Sequence, residues 1–411
     1  MRQASKAGIR GFTLMELLIS MAVSITLMAS AAVVFNQGVD ATWVESQKAE
    51  MQQDLRAAAN LMVRDIVLAG QGMMNAETGI ALPNGGGAQI PIYGCNQSGV
   101  CPPNGAVNYP TPPPLAGGGP PTLYPIMPGW KLGITPPGAA APTDIITVVY
   151  TDPVLALDCY QATFPAAPTA SPVTFTLPAA PPATCLPGGI NAPQQLQGTS
   201  VALQPGDVLL FNYSVGGVSD YAVAEVTAVV QNGNGVYSVS FASSDPLKLN
   251  QNGAGVSNNL ATIATAYNNC IKNNAPPNNT PAACSATAYR LEVITYYLIN
   301  NPDPTGLTTG IPTLMRQVNG LTAVPVAENV VNLQFTYDTY NSDGTLLSGA
   351  GDGGYSLGDS YNLIRKTNII HMSIRSTMQG TRTQLVSTKG YQSFDYQTSI
   401  SARNMSYQQR Y

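Results

Sequence analysis

The 411-residue chain contains a single histidine, His371, and few charged residues of either sign. Asp, Glu, Lys and Arg make up 10% of the sequence, and the formal net charge is −4. Histidine is the side chain best suited to proton transfer and metal binding near neutral pH, so its scarcity disfavours both chemistries. The low charge leaves no basic surface for nucleic acid. The composition therefore indicates a protein that is not an enzyme and does not bind nucleic acid.

Charge is also nearly missing from one long stretch near the N-terminus. Residues 12–35 form an apolar run in which Glu16 is the one charged residue. Such a run, roughly 24 residues, is long enough to cross ~30 Å of hydrocarbon as a helix. The preceding residues 1–11 carry three basic residues and no acid. The positive-inside rule predicts that this leader stays cytoplasmic, so that 73–411 lies outside the membrane.

The junction between the leader and the apolar run carries a specific motif. The segment RGFTLMELLIS, residues 10–20, resembles the class III signal of type IV prepilins and pseudopilins. In that family a membrane peptidase cuts after a glycine, the new N-terminal Phe is N-methylated, and a Glu is fifth in the mature chain. The matching residues here are Gly11, Phe12 and Glu16. The resemblance implies that prepilin peptidase removes residues 1–11 and leaves the membrane helix on the mature protein.

Glu16 needs a partner because a charge at membrane depth costs about 2.5–3.5 kcal/mol even on lenient insertion scales. The family resemblance implies that Glu16 pairs with the N-terminal amine of Phe12 on a neighbouring subunit and sets the stagger of subunits in a helical filament. Alternatively, Glu16 interacts with the amine and the positive end of its own helix. The two roles are compatible, and we prefer the one between subunits.

Apolar residues continue at helical spacing beyond the membrane run. Between Val39 and Ala69 they recur close to the 3.6-residue period, which predicts an amphipathic continuation of the helix over residues 36–72. Gly38 is a candidate kink. Gly70 and Gly72 are stop signals. We expect the apolar side of this continuation to pack on the globular domain.

The remaining residues 73–411 are rich in Gly and Pro and contain short runs of β-branched and aromatic residues. We expect long loops at 73–143 and 250–285, with turns at NGNG (232–235) and NSDG (341–344). The strand-like runs are DIITVVYT, PVTFTL, DVLLFNYSV, YAVAEVTAVV, GVYSVSF, YRLEVITYYLI, VVNLQFTYDTY and IIHMSIRST. The predicted class is α+β: a long N-terminal helix, spanning the membrane and then amphipathic, packed on an antiparallel, twisted β-sheet with long Pro/Gly-rich loops, as in pilins.

The six cysteines form three neighbouring couples without the spacing of a zinc or redox site. An even number behind an export segment indicates disulfides made in an oxidising compartment. We prefer the sequential pairing, because each bond then closes a short local loop; buried free thiols are the alternative. The couples are Cys95 with Cys101, Cys159 with Cys185, and Cys270 with Cys284.

Two short motifs suggest other chemistry and are rejected. GYSLG, residues 354–358, matches a hydrolase nucleophile motif, but that motif needs a strand before the Ser and a helix after it. His371 is better explained as a solvated strand residue. TYNSDG, residues 339–344, weakly resembles a calcium loop, but Ala350 stands where a bidentate Glu is required. A hairpin turn explains it better, so we expect no cofactor, with Ca²⁺ near Asp338, Asp352 and Asp359 as a minor alternative.

Motifs in the C-terminal third of the chain indicate which group of pilin-like proteins the sequence resembles. LMRQVNG, AENVVNLQFTYDTYNSDG, IIHMSIRSTMQG and SISARNMSYQQRY follow the order seen in minor pilins of the PilW type, and pseudopilin J of type II secretion systems is similar. The resemblance covers both ends of the chain. It implies a non-catalytic minor pilin that joins other minor pilins and the major pilin, primes assembly of the pilus (fimbrium) and lies at its tip.

Before assembly, such a protein is a single-pass protein of the bacterial inner membrane with a periplasmic C-terminal domain; afterwards it lies in the pilus at the cell surface. Two alternatives remain. One is a type II secretion pseudopilin. The other is a tip adhesin that binds a ligand through the loops at 73–143 and 250–285.

Overall fold

The computed structural model describes residues 12–73, 79–84, 122–129, 131, 133–137, 139–152, 154–165, 171–178, 185, 195–199, 201–215, 218–251, 256–273, 284, 286–302, 310–319, 321–340, 346–349, 364–375 and 393–402. These residues divide into two compact units. One contains residues 12–53 together with Ser393, and the other contains the described residues of 54–375 and 394–402.

The first helix, α1 (Leu14–Leu68, 55 residues), runs through the predicted membrane and amphipathic segments without interruption. At 1.5 Å per residue its contour length is ~80 Å. The helix continues through Gly38, where the sequence had suggested a kink, and the Thr42 hydroxyl donates to the Gly38 carbonyl at 2.8 Å. It ends at Leu68, and Gly70 and Gly72 then adopt φ values of +77° and +68°. These left-handed conformations suit glycine and end the helix.

The described residues contain seventeen strands, which lie in the second unit apart from Ser393 at the start of the last one, and twelve of the pairs that they form are antiparallel. The strands are β1 (Ile80–Ala81), β2 (Thr122–Leu123), β3 (Ile126–Gly129), β4 (Ile145–Thr151), β5 (Gln161–Thr163), β6 (Val173–Thr176), β7 (Val208–Val215), β8 (Val218–Glu225), β9 (Ala228–Gly233), β10 (Val236–Ser240), β11 (Ala286–Asn301), β12 (Ile311–Val318), β13 (Val324–Glu328), β14 (Val330–Tyr340), β15 (Leu346–Gly349), β16 (Ile364–Arg375) and β17 (Ser393–Ser401). A 3-10 turn, Leu157–Cys159, precedes β5.

These strands form four sheets rather than the one sheet expected from the sequence. The largest has the order β13-β12-β11-β4-β3, and β7 and β8 extend it because β7 also pairs with β11. The others are β5-β6-β10-β9, β15-β14-β16-β17 and the pair β1-β2. Strand β11 organises the unit, since its 16 residues are long enough to pair with β7 at one end and with β4 and β12 at the other.

The segment 250–285, predicted to be rich in loops, contains helix α2 (Leu260–Asn273). Asn259 caps its first turn, because its side-chain oxygen accepts from the backbone N–H of Thr262 at 2.9 Å. Its buried residues recur at helical spacing: Leu260, Ile263, Ala264, Tyr267 and Cys270. Sequence reasoning missed this amphipathic helix because the segment is rich in Asn, which is typical of loops.

The run YAVAEVTAVV, residues 221–230, is two strands rather than one. Strand β8 ends at Glu225, and β9 begins at Ala228 in a different sheet. Between them, the Val226 N–H donates to the Asp207 carbonyl and the Thr227 N–H to the Ser240 carbonyl, both at 2.8 Å. These long-range bonds turn the chain from one sheet to the next. The segment 73–143, predicted to be loops, contains the short strands β1, β2 and β3.

Candidate functional site

The N-terminal part of α1 exposes a continuous set of large apolar side chains. Phe12 is 85% exposed, and Leu14 and Phe35 are 79% and 71% exposed. A soluble helix normally buries such residues, so a large exposed apolar surface indicates contact with a membrane or a partner. Helix α1 is long and apolar enough to cross a membrane, and its apolar N-terminal part is unburied. This geometry is compatible with a membrane anchor.

Glu16 forms a capping box with Thr13 at the start of α1. The Glu16 carboxylate accepts from the Thr13 backbone N–H and from the Thr13 hydroxyl, each at 3.0 Å. In return, the Glu16 backbone N–H donates to the Thr13 hydroxyl oxygen at 3.2 Å. Two N–H groups that lack partners at a helix start are thereby satisfied. Both side chains remain exposed, so the carboxylate keeps access to a further partner.

The structure thus gives Glu16 a contact at the start of its own helix with Thr13, which sequence reasoning missed. The signal was present: a Thr followed three positions later by a Glu before an apolar run is a capping-box pattern. Phe12 lies directly before this cap. Gly11, the predicted cleavage position, lies outside the described residues.

In the second unit, the buried carboxylate of Asp65 joins the end of α1 to three strands of the largest sheet. Asp65 is completely buried. Its Oδ2 accepts from Tyr296 Oη at 2.6 Å and from Arg316 Nε at 2.8 Å, and its Oδ1 accepts from Tyr150 Oη at 3.3 Å. These partners lie on β11, β12 and β4, which are adjacent in the sheet. The position of this part of α1 along the sheet is thus set by polar contacts as well as by packing.

Sequence reasoning did not identify Asp65. The signal was an acid three residues after Met62, on the buried side of the helix formed by Leu55, Ala58, Met62 and Ile66. A buried carboxylate requires a charged or hydrogen-bonding partner. Burial lowers the pKa of Arg316, but its ion pair and hydrogen bond with Asp65 outweigh burial, so that the pKa of the guanidinium is raised. Burial and then the charge of Asp65 raise the pKa of Tyr296.

A second buried cluster on the same sheet surrounds Arg290. Its guanidinium pairs with Asp152, lies 3.6 Å from Asp207 Oδ2, and lies 3.5 Å from Glu292 Oε1. Three acids thus share one cation. Burial raises the pKa of Glu292 to about 7, Arg290 opposes this rise, and the charges of Asp152 and Asp207 add to it. Glu292 is therefore the acid of this cluster whose protonation changes near neutral pH.

A third cluster lies where β8 ends. Glu225 and Asp245 are both buried, and their carboxyls are close enough to influence each other. Backbone N–H groups point at both carboxyls: Leu247 donates to Glu225 at 3.0 Å and Asn250 donates to Asp245 at 3.2 Å. Burial raises the pKa of Glu225 to about 7, and Asp245 adds to this rise. These inward-pointing donors disfavour a metal ion at the pair.

His371 is partly exposed on β16, and its environment does not resemble a catalytic triad. His371 Nδ1 lies 2.8 Å from Asp395 Oδ2, but the Ser373 hydroxyl donates to Asp395 at 2.7 Å rather than to the imidazole. Burial tends to raise the pKa of Asp395, but the hydrogen bonds from Ser373 and His371 outweigh it, so that this pKa is lowered. The GYSLG motif lies outside the described residues.

The predicted calcium positions do not form a described site. NSDG, Asp352 and Asp359 lie outside the described residues, while Asp338 pairs with Lys366 at 3.2 Å. No cluster of three or more His, Cys, Asp or Glu suited to a metal occurs in the described part of the chain.

Two disulfides join the predicted couples Cys159–Cys185 and Cys270–Cys284, with Cα separations of 5.6 and 5.8 Å. All four of these cysteines are buried. The second bond ties α2 to the residue two positions before β11. Cys95 and Cys101 lie outside the described residues. The disulfides thus hold loops on the core of the second unit.

Comparison of the chain with protein-family models, with curated proteins and with solved structures gives no match. Inferences about function therefore depend on the N-terminal motif and on the geometry described above.

Proposed function

We propose that the protein is a non-catalytic minor pilin of the PilW type, processed by prepilin peptidase and N-methylated at Phe12. It is anchored by α1 in the inner membrane with its β-domain in the periplasm. From there it joins other minor pilins and the major pilin to prime assembly of a type IV pilus, and it lies at the pilus tip.

The observation that carries the proposal is the joint placement of Gly11 and Phe12 before an exposed apolar helix and of Glu16 in its first turn. A signal anchor needs the apolar helix alone. It does not need a glycine before the helix or an acid within it, and an acid at membrane depth is costly. Glu16 remains exposed beside its Thr13 cap, so it can meet the amine of a neighbouring subunit as well as serve its own helix start.

The test is complementation of a deletion strain, with surface pili, adhesion and N-terminal mass spectrometry as readouts. The wild-type chain should restore pili, and the membrane-extracted protein should begin at methylated Phe12. Gly11→Val should retain residues 1–11 and restore no pili. Ala7→Val, inside the leader but away from the cleavage position, is the matched control and should behave as wild type.

Each remaining outcome excludes part of the proposal. A mature protein that still begins at Met1 contradicts processing. Normal pili with lost adhesion in the deletion strain would indicate a ligand-binding tip protein. Normal pili with lost protein secretion would indicate a type II secretion pseudopilin, and the genes adjacent to this one would distinguish the two systems independently.

A further inference from the structure

Among the described residues, strand β9 forms one edge of the four-stranded sheet β5-β6-β10-β9. Edge strands present unpaired N–H and C=O groups that can pair with another chain, and proteins protect them with charge, proline, bulges or cover. The sequence of β9, AVVQNG, contains no charge and no proline, and its residues from Val230 onward are exposed. The irregularity in its pairing with β10 lies at the hairpin end, between Val236 and Tyr237. The middle of β9 therefore needs another form of protection.

The side chain of Gln197 covers this part of the strand. Its Nε2 donates to the Val229 carbonyl at 3.2 Å, and its Oε1 accepts from the Gln231 backbone N–H at 2.9 Å. Successive residues of a strand direct their backbone polar groups to opposite sides in the plane of the sheet. The backbone polar groups of Val229 and Gln231 thus point to the same side. Because Gln197 bonds to both, that side is the open edge, away from β10.

The contact has the geometry of an added strand. In a parallel pair, one residue of the new strand donates to a carbonyl and accepts from the N–H two residues further along the old strand. The primary amide of Gln197 makes both bonds with one side chain. It therefore stands where one residue of a parallel neighbour would stand.

Gln197 is held in place by the chain around it. The preceding residue, Leu196, is fully buried, and its carbonyl accepts from the Leu203 N–H at 3.2 Å. The following residue, Gly198, has a φ of +83°, which turns the backbone directly after Gln197. The amide is thus presented to β9 by an anchored turn.

We propose that Gln197 blocks the free edge of β9 and prevents it from pairing with β9 of a second copy of this chain. A second copy fits because an uncharged strand can pair with itself antiparallel about a two-fold axis, in a self-complementary contact. Val230, 52% exposed, would lie at the centre of that contact. The inference is independent of the proposed pilus function, since it concerns only the β-domain.

The experiment measures the mass of the full chain in detergent micelles by light scattering over a concentration series, together with amide exchange at Gln231. Gln197→Ala removes both bonds, so the Gln231 amide should exchange about tenfold faster at low concentration. The variant should then self-associate as its concentration rises, while wild type stays monomeric. Gln197→Asn has a shorter side chain that cannot reach both the Val229 carbonyl and the Gln231 N–H, so it should behave as Gln197→Ala does. Agreement between the two variants would show that the effect does not come from a folding defect in one of them.

Two further variants separate this mechanism from general effects. Gln204→Ala, an exposed Gln away from β9, should match wild type. Adding Val230→Lys to Gln197→Ala places like charges across the proposed contact and should restore the monomer. The proposal is overturned if Gln197→Ala remains monomeric, whether or not its Gln231 exchange is faster. It is also overturned if Val230→Lys leaves the association unchanged, because the contact then lies elsewhere.

Discussion

Asp65 of helix α1 and Arg316 of strand β12 form an ion pair, with Arg316 Nε 2.8 Å from a carboxylate that is completely shielded from water. The two residues are 251 positions apart in the chain. Tyr296, directly opposite Arg316 in the sheet, donates to the same oxygen. The pair is therefore part of a small polar network in which each buried group has a partner, and such networks are costly to break in part.

Asp65→Asn should destabilise the β-domain, because it leaves the part-buried guanidinium of Arg316 without its counter-ion. Breaking one side of a buried pair costs about 3–5 kcal/mol. The measurement is urea unfolding of the full chain in detergent, followed by near-ultraviolet circular dichroism. Asp54→Asn, on an exposed position of the same helix, is the matched control and should change the free energy of unfolding little.

The double variant Asp65→Leu with Arg316→Met should recover most of the stability lost in Asp65→Asn, since an apolar pair of similar size leaves no unpaired charge. If the double variant is less stable than both Asp65→Leu and Arg316→Met alone, the hydrogen bonds from Tyr150 and Tyr296, rather than the ion pair, contribute most of the stability at this position.

Stability of the β-domain should fall as pH rises from about 5 to about 8. Burial raises the folded pKa of both Glu225 and Glu292 from 4.5 to about 7. The folded protein then holds protons that the unfolded chain releases, so this stabilisation is complete below the unfolded pKa and is lost as pH rises through the folded one. Each group should contribute on the order of 1–3 kcal/mol to the change. Urea midpoints across this pH range measure it.

Glu225→Gln tests one of these groups directly, because an amide mimics the protonated carboxyl at every pH. The variant should be more stable than wild type near pH 8 and should show a shallower dependence on pH. The exposed Glu328 provides the control: Glu328→Gln should keep the wild-type slope. Equal slopes in wild type and Glu225→Gln would mean that Glu225 is ionised in the folded protein.

Thr13→Ala and Glu16→Leu should separate the capping role of Glu16 from its proposed role between subunits. Thr13→Ala removes the hydroxyl contacts but leaves the charge, at a cost of about 0.5–2 kcal/mol to the helix start. It should retain incorporation into pili. Glu16→Leu should insert and be cleaved normally, yet should fail to copurify with other pilins. The readouts are cleavage by gel shift, surface pili, and co-isolation with other pilins. Full piliation by Glu16→Leu would mean that Glu16 acts only at the start of its own helix and has no role between subunits.

The disulfide Cys270–Cys284 should stabilise the β-domain by holding α2 beside β11. Replacing both cysteines by Ser opens a loop of 14 positions, which should cost about 3 kcal/mol. Peptide mapping without reductant should recover this bond, Cys159–Cys185 and the predicted Cys95–Cys101. Crossed pairs in that map would contradict the reading of three local loops.

Some of this structure follows from local patterns that the sequence contains. The apolar run predicted the exposed first part of α1, and Gly70 and Gly72 marked its end. The alternation in VVNLQFTYDTY predicted β14 with its bounds, because side chains one position apart lie on opposite faces of a strand. The cysteine couples were near enough in sequence to suggest their own partners.

Other features were decided only when distant parts of the chain came together. The carboxylate of Asp65 is partnered by Tyr150, Tyr296 and Arg316. These residues reach it because their strands, β4, β11 and β12, are neighbours in the sheet with a fixed register. In the sequence, Gln197 is indistinguishable from other polar loop residues. Its contact with Val229 and Gln231 exists only because the pairing of β10 with β9 places those residues at a sheet edge. Periodicity reports the environment of a residue along one element, whereas the partner of a buried charge or an open edge depends on which strands become neighbours. That choice is made by long-range pairing, so α1 could be derived from the sequence while its anchor on the sheet could not.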